Sequence, residues 1–186
     1  EERLKFDLNY FNRITKGGLP PKTLNVALAG TGVGKSLFMC HVASSVIAQG
    51  KNVLYITLEM AEERIAERID ANLLDVTIDD LYEMPKEIYD NKTSKMQNKT
   101  NGQLIIKEYP TASAHAGHFK SLLDELALKK AFKPDLIFID YLNICTSSRF
   151  KGGNINSYTM VKSIAEELRG LAVQYNVPIV SATQTT

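Results

Sequence analysis

The 186-residue sequence holds two cysteines and three histidines, too few for a disulfide framework. Cys40 and Cys145 read instead as small apolar core residues, and the expected compartment is a reducing cytoplasm. No stretch approaches the roughly 20 apolar residues that span a bilayer, so no membrane partner is expected. The opening Glu1-Glu2-Arg3-Leu4 does not resemble a secretory signal. His115 and His118 stand three apart, but no third ligand follows at metal-site spacing, which argues against zinc. His41 reads as a packing or surface residue. Charge excess is missing too: 22 Lys and Arg face 21 Asp and Glu, a net charge of +1. Any hold on nucleic acid must therefore come from local basic segments or from the assembly of several subunits.

What is present is an ordinary globular composition, 44% hydrophobic and 23% charged, on the scale of one domain. Within it, the strand-like run Leu24 to Ala29 enters a glycine-rich turn that ends in Gly34-Lys35-Ser36. Glycines let successive backbone N–H groups converge on an anion, and a helix N-terminus adds partial positive charge. Ala29, Gly30, Thr31, Gly32, Val33, Gly34, Lys35 and Ser36 are the expected phosphate cradle. Lys35 reaches the β- and γ-phosphates and Ser36 ligates Mg²⁺ in such loops. Ala29 stands where the pattern has glycine, and alanine is the smallest replacement. The following amphipathic stretch, Lys35 to Gln49, closes at Gly50 as a helix C-terminal signal.

Apolar, β-rich runs recur at Thr23 to Ala29, Asn52 to Leu58, Gln103 to Glu108, Asp135 to Leu142 and Val177 to Thr183, separated by helical periodicity. This alternation predicts an α/β fold with a mostly parallel sheet and helices on both faces. The segment from Ala61 places Ile65 and Ile69 one turn apart on a core face, with Glu63 and Glu67 toward solvent. Phe119 to Phe132 and Tyr158 to Tyr175 carry similar patterns. Tyr82 to Gly102 is polar and reads as exposed short helices or a mobile connection. Arg149 to Asn154 follows a buried strand, where ligand-facing loops of open α/β sheets lie.

Three strands end in groups that carry chemistry. Glu59 closes the second run, where a carboxylate can orient and deprotonate an attacking water; a charge at a helix N-terminus is its alternative role. Asp140 ends Leu136-Ile137-Phe138-Ile139, and a buried strand seldom ends in a carboxylate without a partner, here Mg²⁺ held with Ser36. Gln184 follows the last run, where an amide can hydrogen-bond a γ-phosphate, or simply sit in a surface turn. Tyr141 and Tyr158 read as core or rim aromatics.

This arrangement resembles the RecA-like P-loop core of the DnaB-family replicative helicases. The likeness is carried by Phe6 to Phe11 through Gly17-Gly18-Leu19, by Leu58-Glu59-Met60 with Glu63 and Arg68, by Ile137 to Leu142, and by Val177 to Gln184. Ala29, Asn52 to Ile56 and Ile164 to Arg169 draw it toward the phage members. The resemblance implies a hexameric ring that hydrolyses ATP, GTP or dATP with Mg²⁺ between subunits. Such a ring moves 5′ to 3′ on single-stranded DNA and unwinds duplex at the replication fork, with a primase and a helicase loader as partners. It also assigns Lys35, Glu59 and Gln184 to catalysis, Ser36 and Asp140 to the metal, and Arg149, Lys151 and Asn154 to DNA in the channel. By the same resemblance, residues 1–186 are the expected ATPase domain in part, without the amino-terminal collar, a second DNA loop and an arginine finger. A RecA-like recombination or regulatory ATPase without unwinding is the alternative. A small-molecule kinase would need an arginine-bearing lid and an acceptor pocket, and the sequence suggests neither.

Overall fold

The computed structural model describes residues 2–30, 34–99, 102–150 and 153–184. Five strands form one parallel sheet: β1 (Leu24–Ala29), β2 (Val53–Thr57), β3 (Leu104–Glu108), β4 (Leu136–Asp140) and β5 (Ile179–Gln184). They stand in the order β1-β5-β4-β2-β3. The seven α-helices among the described residues are α1 (Asn9–Ile14), α2 (Lys35–Ala48), α3 (Glu62–Leu74), α4 (Ile78–Glu83), α5 (Lys86–Lys99), α6 (Ala116–Lys130) and α7 (Ser157–Tyr175).

Period-2 alternation sorts the strand side chains into two cores. Leu54, Ile56, Ile137, Ile139 and Ile179 pack with Phe119, Leu123, Leu168 and Leu171 of α6 and α7. Val53, Tyr55, Leu136, Phe138, Val180 and Ala182 pack on the other face with Met39, Val42, Ile65 and Ile69 of α2 and α3. Every residue of β2 and β4 is buried, as strands covered on both faces require. The predicted strands and helix-bearing faces are therefore present, with strand ends trimmed by a residue or two, except that β5 runs one residue past the expected Thr183. Ile65 and Ile69 face the core as expected.

The polar stretch after Tyr82 is helical: α4 carries a capping box, with Thr77 Oγ1 accepting from the Asp80 amide, and α5 runs on from Lys86. Neither helix buries a residue fully, which is why the segment lacks an apolar signature. Tyr89 Oη nevertheless donates to Asp70 at 2.7 Å, tying α5 to α3. At the amino-terminal side, Leu4 and Leu19 pair through their backbones at 2.9 and 2.7 Å. Gly18 permits this contact, since it has φ +117° and a Cβ there would lie 2.1 Å from the Leu4 carbonyl oxygen.

One residue aligns the base of the sheet. The Asn52 backbone donates to the Asp135 carboxylate at 2.8 Å and accepts from the Asp135 amide at 2.8 Å, its Oδ1 accepts from the Gln103 amide at 3.1 Å, and its Nδ2 donates to the Lys133 carbonyl at 3.3 Å. The amino ends of β2, β3 and β4 are thereby pinned to one another.

Candidate active site at the carboxyl edge of the sheet

Because the strands are parallel, their carboxyl ends share one edge. Across it, Ala29 is paired with Gln184, and Thr57 with Asp140. The strand order inserts β5 between β1 and β4, so the edge reads Ala29, Gln184, Asp140 and then the turn bearing Glu59. That turn is held by Thr57 Oγ1, which donates to the Met60 carbonyl at 2.8 Å and accepts from the Met60 amide at 3.1 Å. Leu58 N–H donates to the Asp140 carbonyl at 3.0 Å, and Glu59 is left exposed at the edge.

Gly30 lies just beyond β1, and Gly34 caps α2 in the left-handed region with φ 80° and ψ 30°. Thr31, Gly32 and Val33 lie outside the described residues. Lys35 begins α2, and its ammonium sits 3.9 Å above the centre of the Tyr141 ring. Ser36, one residue on, donates its hydroxyl to Asp140 Oδ2 at 2.8 Å. The two residues expected to share a metal are thus in direct contact with each other, across 104 residues of sequence.

Asp140 is fully buried, and Oδ2 also accepts from Tyr55 Oη at 2.9 Å. Oδ1 is buried with no hydrogen-bond partner among the described residues. Burial pushes the carboxyl above its ordinary value and the nearby Glu59 pushes the same way, while the Ser36 and Tyr55 hydroxyls and Lys35 oppose them. Tyr55 is itself driven well above the usual phenol range, by burial first and then by the Asp140 charge, so it remains a donor. A hard divalent cation fits this donor set. A Ser36 hydroxyl whose one proton goes to Asp140 offers only lone pairs, and Oδ1 is a carboxylate oxygen in want of a cation or a metal-bound water.

Gln184 is at the end of β5, where the Asn143 side chain clamps the strand. Asn143 Oδ1 accepts from Thr183 Oγ1 at 2.8 Å and from the Gln184 amide at 3.2 Å. The Asn143 clamp carries no sequence signature, since its partners are some 40 residues away. Arg149 does not extend freely: its guanidinium donates to Glu166 at 2.6 Å. Glu167 fastens the same loop, accepting from Ser147 Oγ at 2.7 Å, from the Ser148 amide at 3.0 Å and from the Ser148 hydroxyl. Asn154 is exposed, and Lys151 lies outside the described residues.

The remaining polar residues take structural parts. His115 and His118 form a capping box on α6, with His115 Nδ1 accepting from the Gly117 amide at 3.0 Å and His118 Nδ1 from the His115 amide at 3.1 Å. His41 pairs with Asp7 at 2.8 Å. Tyr158 is exposed on the first turn of α7, a rim position. No helix among the described residues is long and apolar enough to cross a membrane.

Residues 4–186 match the family of the DnaB-like helicase C terminal domain. The chain belongs to this family. It is 50% identical over 185 residues to a DnaB-like replicative helicase of Enterobacteria phage T4, covering 98% of this chain and 39% of that relative. A probable plasmid replicative DNA helicase of Chlamydia psittaci is 28% identical over 163 residues, 86% of this chain and 34% of the relative. The chain thus spans well under half the length of either. Among solved structures, a DnaB-like replicative helicase, described together with its interactions with primase, superposes with a TM-score of 0.72 over 100% of this chain and 44% of that one, at 16% identity. The RecA-like fold expected of a DnaB-family domain is the one observed.

Proposed function

We propose that this domain is the nucleotide-hydrolysing motor of a replicative DNA helicase, working with ATP, GTP or dATP and Mg²⁺. The observation that carries the reading is the Ser36–Asp140 contact with a buried Oδ1 that has no hydrogen-bond partner among the described residues, set beside Lys35 at the carboxyl edge of a parallel sheet. Lys35 exchanges the Tyr141 ring for the β- and γ-phosphates, and Ser36 and Asp140 hold the metal. Bound Mg²⁺ supplies neutralisation of the phosphate oxygens as charge shifts toward the leaving group. Glu59, exposed at the same edge, takes the proton of the attacking water. Gln184 hydrogen-bonds the γ-phosphate and reports its loss through β5.

The family membership and the likeness to the phage helicase support the wider reading. It is a homohexameric ring that hydrolyses nucleotide between subunits and is driven 5′ to 3′ along single-stranded DNA. Arg149, Lys151 and Asn154 lie toward the strand in the channel, and a primase and a helicase loader act as partners. The test is nucleotide hydrolysis by the full-length protein with and without single-stranded DNA, beside Lys35→Ala and Glu59→Ala. Strong DNA stimulation abolished by either substitution is the expected result. Hydrolysis indifferent to DNA overturns the motor reading, and hydrolysis that survives Glu59→Ala removes that residue as the base.

A further inference from the structure

We propose that Tyr55 is a positioning residue for the divalent metal: through its hydroxyl it fixes the Asp140 carboxylate, and through Asp140 the Ser36 hydroxyl, in the orientation that receives the cation. The inference rests on the nucleotide-site reading above.

Tyr55 is the third residue of β2, on a face otherwise occupied by apolar side chains, and it is fully buried. An aliphatic residue there would satisfy the core equally well, so the hydroxyl calls for its own explanation. Its ring stacks on Phe138 of the neighbouring strand with centroids 5.4 Å apart and planes at 21°. The stack leaves the ring little freedom and directs Oη to Asp140 Oδ2 at 2.9 Å. Cys40 Sγ donates weakly to the phenol oxygen from α2 at 3.9 Å, filling an acceptor site on Tyr55. A directed chain results: Cys40 to Tyr55, Tyr55 to Asp140, with Ser36 donating to Asp140 from the other side.

The asymmetry of the carboxylate is the consequence that matters. Both hydroxyls land on Oδ2, and Oδ1 is buried with none among the described residues. With Ser36 as its only anchor, the carboxylate can turn about its last torsion and exchange its two oxygens. Two donors arriving from different elements remove that freedom. Ser36 in turn keeps its proton on Asp140 and its lone pairs for the metal. Tyr55 touches neither metal nor nucleotide in this scheme and acts only through Asp140.

The experiment uses the full-length protein and its equilibrium binding of methylanthraniloyl-ATP, titrated with MgCl₂, for wild type, Tyr55→Phe and Ile69→Val. Tyr55→Phe keeps the ring on Phe138 and removes only the hydroxyl. Ile69 is a buried α3 residue of the same core cluster with no part in the hydrogen-bonded chain, so Ile69→Val reports core damage alone. For Tyr55→Phe the Mg²⁺ concentration at half-saturation should rise about 10-fold, the usual scale for losing a partner behind a metal ligand. Its nucleotide affinity in EDTA should change less than about twofold. Ile69→Val should lower the melting temperature and leave the Mg²⁺ midpoint in place. A Tyr55→Phe midpoint within twofold of wild type overturns the inference, as does an equal shift in Ile69→Val. A wild-type protein with no Mg²⁺-dependent binding overturns the nucleotide-site reading and this inference with it. Mg²⁺-dependent binding that is indifferent to Tyr55→Phe overturns the inference alone.

Discussion

Replacing Glu167 with glutamine should loosen the loop that carries Arg149 while leaving the sheet intact. In the native structure the Glu167 carboxylate takes three donors, the Ser147 hydroxyl, the Ser148 amide and the Ser148 hydroxyl, just beyond Cys145, which is buried in the core. A hydrogen bond to an ionised group contributes about 1.5–3 kcal/mol, against about 0.5–1.5 kcal/mol for a neutral pair. Glutamine removes the charge and leaves one oxygen for three donors. Partial exposure of the site screens what is lost, so the expected local destabilisation is about 1–2 kcal/mol. Native-state hydrogen exchange of residues 145–150 reads this directly, as exchange about 5- to 30-fold faster than in wild type, with the core of β4 unchanged. The effect also has a pH signature. Burial would raise the Glu167 carboxyl, but hydrogen bonds from Ser148 and Ser147 prevail and hold it below its ordinary 4.5. A carboxyl lowered by folding adds stability above its unfolded value and loses it as pH falls through the folded one. The difference between Glu167→Gln and wild type should therefore be full at neutral pH and shrink below pH 4.5. Exchange in 145–150 within twofold of wild type at pH 7 would refute the reasoning, as would a difference that grows on acidification.

Asn143→Ala strips the clamp from the end of β5 and should cost about 1–2 kcal/mol, since Thr183 and the Gln184 amide both lose the same acceptor. Its turnover should fall while nucleotide affinity holds, measured as kcat against KM. Gly18→Ala should lower stability by more than about 2 kcal/mol in a denaturant melt, because its Cβ would meet the Leu4 carbonyl at 2.1 Å in a left-handed backbone. Lys35→Ala should abolish binding of labelled nucleotide yet move the melting temperature by only a few degrees. What it removes from the protein is a cation–π contact with Tyr141, on the order of 0.5–1 kcal/mol.

The strands are legible because burial on both faces demands unbroken apolar runs, and the site because charged or amide groups interrupt those runs at their carboxyl ends. Asp140 announces itself as the only polar residue of β4. Ser36 is found through its place after Lys35. Tyr55 is not legible as anything but core, since a phenol and an aliphatic side chain give the same periodicity, and its partner lies 85 residues away. The fastening of Arg149 by Glu166 and of Ser147 and Ser148 by Glu167 is likewise a tertiary fact. Periodicity reports which face a helix buries, and Glu166 and Glu167 lie at its rim. For α5 the sequence leaves open short exposed helices or a mobile connection, and the single helix of 14 residues is what it does not show. It is held by polar contacts such as Tyr89 with Asp70, and so has no apolar stripe to betray it.

Asn52 stands at the foot of the sheet, yet its influence is felt at the top. From there each of β2, β3 and β4 runs five residues, a rise of roughly 16 Å at about 3.3 Å per residue. Along that climb the parallel ladders and the burial of β2 and β4 on both faces carry the same register upward. A slip of one residue at the base would carry Asp140 about 3.3 Å along the strand axis and turn it to the opposite face. The alignment of Asp140 with Thr57 at the carboxyl edge thus begins at the far end of the domain, at one asparagine that works through its backbone and its side chain together.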